Sequence, residues 1–489
     1  MDVLYEQSIE SLQQALQRGE LRSIDLVQAS LQRIAAYDQA GPCLNALLHL
    51  NPRALEQAET CDAERRQGMV HSPLHGLPVV VKDNFQTHDM PTTGGSRVLA
   101  GFQPRHDAWQ VQRLRQAGAI IVGKTTLHEL AAGITNASSL SGHTRNPYDP
   151  EHIPGGSSGG TAVAVAASYA VAGLGSDTSG SIRVPAACQN LYGLRPTWGL
   201  SSRSGIIPLC PSQDIGAPLA RTVRDLAIML DATVGPDPSD PATWQAAHWI
   251  PASYRAGLQP GRVHGLRIGV LTSLFGNAAH EQETSDCVLA ALDTLRDLGA
   301  TVVPIETPTL ETQTQAASLT AHEFKFALAD YLQAQAAPVR SLTELLAHNA
   351  HHPEVDATLR LRDQPAHRDT AERTQAIMQR SAVRRFVTEL MMTHDVTVLA
   401  SPTLRCTPVR IGERQPGQNC ALSPVLGWPA LCLPAGFSAT GLPIGLDLLA
   451  PPHSEQALLN YALDWEASGV RRRAPFFFGD RPRFHRPEV

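Results

Sequence analysis

Between Gly155 and Pro185 the chain uses almost nothing but small residues. Gly155-Gly156-Ser157-Ser158-Gly159-Gly160 leads into Ala162-Val163-Ala164-Val165-Ala166-Ala167. The stretch closes on Gly175-Ser176-Asp177-Thr178-Ser179-Gly180-Ser181-Ile182-Arg183-Val184-Pro185. Small apolar residues over 158–172, entered through two glycines, predict a tightly packed central helix. The glycines ahead of it permit positive φ and a close backbone approach to a ligand. A helix start also presents free N–H groups and a partial positive charge. The second block sets Ser181 behind small residues on a loop. Successive N–H groups at 178–181 can there point at one oxygen, which is what an oxyanion hole requires.

Around this stretch, helix and strand signals alternate. Residues 8–38 carry two helical faces, Ile9, Leu12 and Leu16, then Leu26, Leu31, Ile34 and Ala35, separated at Gly19, with Ser23 as an N-cap. Leu77-Pro-Val-Val-Val-Lys82 and residues 119–125 read as buried strands, with a helix over 107–117 between them that ends at Gly118. Strands at 267–272 and 301–305 flank a helix at 282–298. Residues 310–393 are mostly helical, and 395–450 return to strands before a helix at 454–468. This alternation predicts an α/β fold, a mixed central sheet flanked by helices. The reading is one domain over 1–489, with cores at 70–235 and 395–470 and a variable helical segment at 236–394.

A serine hydroxyl is a weak nucleophile and needs a base, yet neither block contains a histidine. Lys82 ends the apolar run Val79-Val80-Val81. Desolvation there favours the neutral amine, which can accept a proton. Taken alone, Lys82 would read as a strand-end lysine reaching solvent; the serine blocks change that reading.

These motifs together resemble the amidase-signature enzymes. The resemblance rests on Gly76-Leu77-Pro78-Val79-Val80-Val81-Lys82-Asp83 and on the two serine blocks. It extends to Gly193-Leu194-Arg195-Pro196-Thr197, Gly205-Ile206-Ile207-Pro208, Pro434-Ala435-Gly436-Phe437 and Gly441-Leu442-Pro443-Ile444-Gly445-Leu446. It covers roughly 5–235 and 395–470. It implies Ser181 as nucleophile, Lys82 as base, and Ser157 as the bridge between them, joined across a cis peptide bond. It implies an oxyanion hole from the N–H groups of Thr178, Ser179, Gly180 and Ser181. Asp177, Arg183 and Ser158 would fix the loop from behind. Ser179 stands where the family often has glycine. Gly133, Ile134, Thr135 and Trp428 are pocket candidates, with ordinary packing as the competing reading.

Other readings compete. Gly118-Ala-Ile-Ile-Val-Gly-Lys-Thr125 matches a P-loop literally, but its four intervening residues form a strand, so nucleotide binding is disfavoured. Gly155-x-Ser157-x-Gly159 matches a nucleophile elbow, which would make Ser157 the nucleophile of an esterase with a histidine base. His128-Glu129 and His351-His352 lack metal-ligand spacing, and the eight scattered cysteines read as reduced. No metal or organic cofactor is expected. The net charge of -6 argues against a nucleic-acid surface. The N-terminus shows no secretory pattern and no stretch is apolar enough to span a bilayer, so the expected setting is cytoplasmic. The basic, aromatic tail from Arg471, with Phe476, Phe477 and Phe478, would dock on the body. The expected partner is a small amide substrate, and a homodimer is left open. A glutamine-hydrolysing subunit of an aminoacyl-tRNA amidotransferase complex is the alternative to a stand-alone amidase.

Overall fold

A computed structural model describes residues 3–469 and 472–475. The helix Gly159–Ala166 is buried at every position. Its residues are small because the sheet leaves no room for larger ones. A Cβ on Gly160 would lie 2.6 Å from both Ala46 O and Thr126 N. A Cβ on Gly173, in the strand beneath, would lie 2.4 Å from Thr161 Cγ2. The helix is shorter than its composition suggests. It stops at Ala166, the chain reverses at Ser168 with φ 55°, and Ala172–Asp177 is a strand. Small apolar residues suit a buried helix or a buried strand equally, so periodicity could not place that boundary.

Eleven strands form one mixed sheet, as the sequence implied. Across it run Leu47–Leu50, Ile120–Thr125, Pro78–Lys82, Ala172–Asp177, Ile215–Ala220, Tyr192–Arg195, Ala430–Phe437, Pro443–Leu449, Val398–Pro402, Arg267–Leu271 and Thr301–Ile305. Pro78–Lys82 is parallel to both of its neighbours, with Val79 opposite Ala172 and Val81 opposite Leu174. Its side chains alternate between the two faces. Val79 and Val81 enter the core on one face, and Val80 enters the core on the other. A strand covered on both faces reads as an unbroken apolar run, and this one does.

The central helix is also held at its far end. Arg33 donates to Ala167 O (2.8 Å), Arg221 to Val165 O (2.9 Å) and Arg472 to Ala166 O (2.9 Å). Residues 310–393 form five helices, two of which, Thr320–Ala334 and Pro353–Asp363, pack on each other and on the loops that carry Leu130 and Ile207. Phe324, Leu328 and Leu359 share a cluster there with Leu130, Ile207 and Leu209. The P-loop-like run is a buried strand, and Lys124 Nζ pairs with Asp83 at 2.9 Å. Ser23 is the first residue of its helix, not the cap; Arg22 precedes it, and Asp62 accepts from the Ser23 N–H at 2.7 Å. No described helix is long and apolar enough to cross a membrane. Phe476, Phe477 and Phe478 lie outside the described residues.

Gly160→Ala tests the close packing. Alanine gains at most about 1 kcal/mol of helix propensity. The added methyl meets backbone that cannot yield, and overpacking costs about 1–3 kcal/mol or more. A lower urea midpoint is expected, and an unchanged or raised midpoint contradicts the packing argument.

Candidate active site

The strand Pro78–Lys82 delivers Lys82 to the end of the sheet with its side chain fully buried. Nζ donates to Ser157 Oγ at 2.7 Å and to Ser176 Oγ at 2.9 Å. Asn84 Nδ2 also donates to Ser176 Oγ, at 3.0 Å. Among the described residues Lys82 thus touches two hydroxyls and no carboxylate. Burial pushes its pKa down to about 7, opposed only by the more distant charges of Asp177 and Asp214. A neutral amine, able to accept a proton, is therefore well populated near neutrality. Ser176 is a partner that the sequence reading missed. The pairing of Val81 with Leu174 places it beside Lys82, but that register is tertiary information.

The Gly156–Ser157 peptide is cis, and the Ser157 carbonyl accepts from His128 N at 3.1 Å. Ser158 ties the two serine blocks together. Its N–H donates to Ser181 O at 3.1 Å, and its hydroxyl donates to Ser176 O at 3.1 Å. Ser181 is nearly enclosed, at 6% exposure, and its Oγ makes no hydrogen bond among the described residues. Lys82 and Ser157 are joined, while the link from Ser157 to Ser181 is not closed. Catalytic hydrogen bonds often tighten only when substrate arrives. No histidine ring reaches Ser157 among the described residues. Burial pushes His128, whose backbone meets the Ser157 carbonyl, down to about 3, with further lowering from His352 and Arg362. The nucleophile-elbow reading, which needs a histidine base on Ser157, loses its base.

The loop after Ala172–Asp177 is organised by Asp177. Its Oδ1 accepts from Gly180 N at 2.7 Å. This corrects the four-donor hole: the Gly180 N–H is spent inside the loop, because a buried carboxylate needs donors and Gly180 is the nearest. The N–H groups of Thr178, Ser179 and Ser181 have no acceptor among the described residues. Arg183 Nε and Arg195 Nη1 each lie 3.2 Å from the Asp177 carboxylate. Burial pushes Asp177 up, but the two guanidiniums outweigh it and hold the carboxyl below its usual range. Arg183 continues to Asp447 at 2.6 Å and to Cys420 O at 2.9 Å. Thr178 Oγ1 donates to Asp214 at 2.5 Å, and Gln213 Nε2 donates to Thr178 O at 3.1 Å. Gly180 has φ 118°, and a Cβ there would lie 2.5 Å from Cys420 Cβ. Arg195, Asp214, Gln213 and Asp447 were not singled out from sequence as site residues. Arg195 carried a faint signal, as a charged residue closing an apolar strand.

The pocket candidates separate. The Ile134 backbone abuts Gly156, and its side chain packs on Val184, Leu404 and Cys420 beside the serine loop. Gly133 faces His128, whose Nε2 would lie 2.4 Å from a Cβ there. Thr135 turns to the helical segment and donates to Glu354 at 2.9 Å. Trp428 must be moved. It packs with Val383, Val387 and Met391 and lines a cavity of about 610 Å³ with Val396, Pro452 and Tyr461. None of Lys82, Ser157 and Ser181 lines that cavity. The long helix Ala371–Thr393 draws the indole away, which a loop position in sequence could not reveal. His143, His352 and Glu354 do converge, with His143 Nε2 3.3 Å from Glu354. Yet His352 Nδ1 serves as a helix cap, accepting from Glu354 N.

This sheet and this pair of serine blocks define an amidase-type hydrolase site. The Amidase family model matches residues 25–459, and the chain belongs to that family, whose members act on carbon–nitrogen bonds. The peptide amidase from Stenotrophomonas maltophilia superposes with a TM-score of 0.88 at 38% identity, covering 98% of this chain and 100% of that one. A glutamyl-tRNA(Gln) amidotransferase subunit from Chloroflexus aurantiacus is 36% identical over 482 residues, covering 94% of this chain and 96% of its own. The solved glutamyl-tRNA(Gln) amidotransferase subunit from Thermotoga maritima gives a TM-score of 0.74 at 26% identity, covering 93% of this chain and 94% of its own.

The charge state of Lys82 is open to measurement. Folded Lys82 sheds its proton near pH 7, whereas an unfolded lysine keeps it to about 10.4. Between these values the unfolded chain binds more protons, so stability rises with pH. Lys82→Met removes that dependence. Wild type should gain on the variant by up to about 1.4 kcal/mol per pH unit across this window in urea titrations. A flat difference contradicts a neutral buried Lys82.

Proposed function

We propose that this protein is a stand-alone amidase that hydrolyses a linear carbon–nitrogen amide bond through an acyl-enzyme on Ser181. The observation that carries the reading is Lys82, buried, with Nζ 2.7 Å from Ser157 Oγ and a pKa lowered to about 7. Ser181 Oγ attacks the amide carbonyl as its proton passes to Ser157, whose own proton passes to Lys82. The N–H groups of Thr178, Ser179 and Ser181 hold the oxyanion. Lys82 returns the proton through Ser157 to the leaving nitrogen, and ammonia or an amine departs. Water then attacks the ester of Ser181 by the same relay. Asp177, Arg183 and Ser158 position the loop. Small carboxamides, aryl amides, peptide amides and carbamates are the substrate classes.

A second reading is the glutamine-hydrolysing subunit of an aminoacyl-tRNA amidotransferase complex. The likeness to the Chloroflexus protein over nearly the whole chain favours it. The stand-alone reading is preferred because the solved peptide amidase fits better than the solved Thermotoga protein, at TM-scores of 0.88 and 0.74.

Ammonia and amine release by the purified chain, over primary amides, anilides, peptide amides, carbamates and glutamine, tests the reading. Ser181→Ala and Lys82→Ala should each lose at least about a thousandfold in kcat/KM while staying folded. Ser157→Ala should lose about a hundredfold or more. Lys82 must be neutral to act, so kcat/KM should rise with pH through about 7 and level off above it. Full activity in any of the three variants overturns the relay. Turnover of glutamine alone, and only with copurifying subunits, would favour the second reading.

A further inference from the structure

The loop that leads into the strand Pro78–Lys82 carries a buried histidine that the protein only half satisfies. His75 is shut off from solvent. Its Nε2 lies 3.1 Å from Cys61 O, and its Nδ1 has no hydrogen-bond partner among the described residues. A buried ring nitrogen left without a partner is costly. In sequence Cys61 is one of eight scattered cysteines; the turn after the helix Ala54–Arg66 is what brings His75 back to it.

The groups around this ring have the chemistry of metal ligands. Cys61 and Glu64 stand about one turn apart on their helix. One ligand atom from each of Cys61, Glu64 and His75 lies within 4.8 Å of the other two. His71 adds a fourth. Its Nε2 is 3.3 Å from Glu64 Oε2, and its ring meets the His75 ring edge-on, 5.1 Å between centres. A tetrahedral zinc site holds its ligand atoms roughly 3.5 Å apart. Cys61 and His75 are fixed by packing, whereas Glu64 and His71 keep 30% and 44% of their side chains exposed, free to close the remaining distance. The order Cys-x-x-Glu, then His-x-x-x-His, is that of a structural zinc site with glutamate in place of the second cysteine. The charges balance as well, since a thiolate and a carboxylate neutralise one Zn2+. Asp62 is engaged by the N–H groups of Ser23 and Ile24, and Arg65 turns to Gln13 and His75 O. Burial, with Glu64 and Asp62 adding to it, pushes the Cys61 thiol up to about 11, so its proton leaves to solvent as the sulfur–zinc bond forms.

We propose that Cys61, Glu64, His71 and His75 bind one Zn2+, a structural ion that clips the helix Ala54–Arg66 to the entry of the strand carrying Lys82. The site lies at the opposite end of that strand from Lys82, about 13 Å away by the rise of a strand. The ion therefore takes no part in the reaction. Gly76 N donates to Gly118 O at 2.8 Å, so the clipped loop also fixes the strand against the entry to its neighbour Ile120–Thr125.

The test is calorimetric titration of Zn2+ into the full chain, stripped with EDTA and free of an affinity tag. One zinc per chain should bind, with a Kd of about 1 μM or lower. The melting temperature should rise until one equivalent is present. Co2+ in place of Zn2+ should give the ultraviolet charge-transfer absorption of a cobalt–thiolate bond. Cys61→Ser should abolish that absorption and weaken zinc binding at least about tenfold, and His71→Ala should weaken it by a similar factor. Absence of stoichiometric zinc binding overturns the proposal, as does a cobalt complex without the thiolate absorption. An affinity unchanged in both variants also overturns it, because the ion then binds elsewhere. If Cys61→Ser does not fold, His71→Ala decides, since His71 is exposed and its loss leaves the core intact.

Discussion

A lysine buried against hydroxyls alone is the interaction on which the site depends. In water the ammonium of Lys82 would keep its proton far above neutrality. Inside the protein, with Ser157 and Ser176 as its hydrogen-bond partners, it is no longer compensated for lost hydration. A carboxylate in contact would raise the pKa again. The nearby acids are therefore engaged elsewhere. Asp177 is committed to Arg183 and Arg195, and Asp214 to Thr178 and two backbone N–H groups. Asp83, next in sequence, faces Lys124 at 2.9 Å. The ion pairs of the interior keep negative charge out of contact with this amine.

The second requirement is proximity. Ser157 and Ser181 belong to loops at opposite ends of the small-residue stretch, and Lys82 comes from a neighbouring strand. Lys82 reaches Ser157 because the helix between the loops lies almost in contact with the sheet. Glycine at 160 and 173 makes that distance possible. Ser158 then joins the loops through Ser181 O and Ser176 O. The backbone of both serine blocks is thereby tied into one frame, while the hydroxyl link from Ser157 to Ser181 stays open.

Much of this was legible in sequence because the constraints are local. Small residues between glycines marked the helix, the run Val79-Val80-Val81 marked the buried strand, and its last residue is the buried lysine that meets Ser157. What could not be read was set by contacts between distant segments. Ser176 becomes a partner of Lys82 only through strand register. Gly180 leaves the set of free donors only because Asp177 folds back upon it. Trp428 sits on a loop that could face either way, and the helix Ala371–Thr393 decides. The helix ended about six residues early because alanine and valine fit both elements it passes through.

The three arginines at the end of the central helix bear on how the whole site responds to force. Arg33, Arg221 and Arg472 come from three remote parts of the chain and grip the carbonyls of residues 165–167. Cations there oppose the negative end of the helix dipole. They also act as a thrust bearing. The helix cannot slide along its own axis, so its first turn, which follows Ser157, is located by an anchor at the other end of the rod. Mechanical rigidity at Ser157 is thereby a property of segments distant in the chain as much as of the residues around the serine.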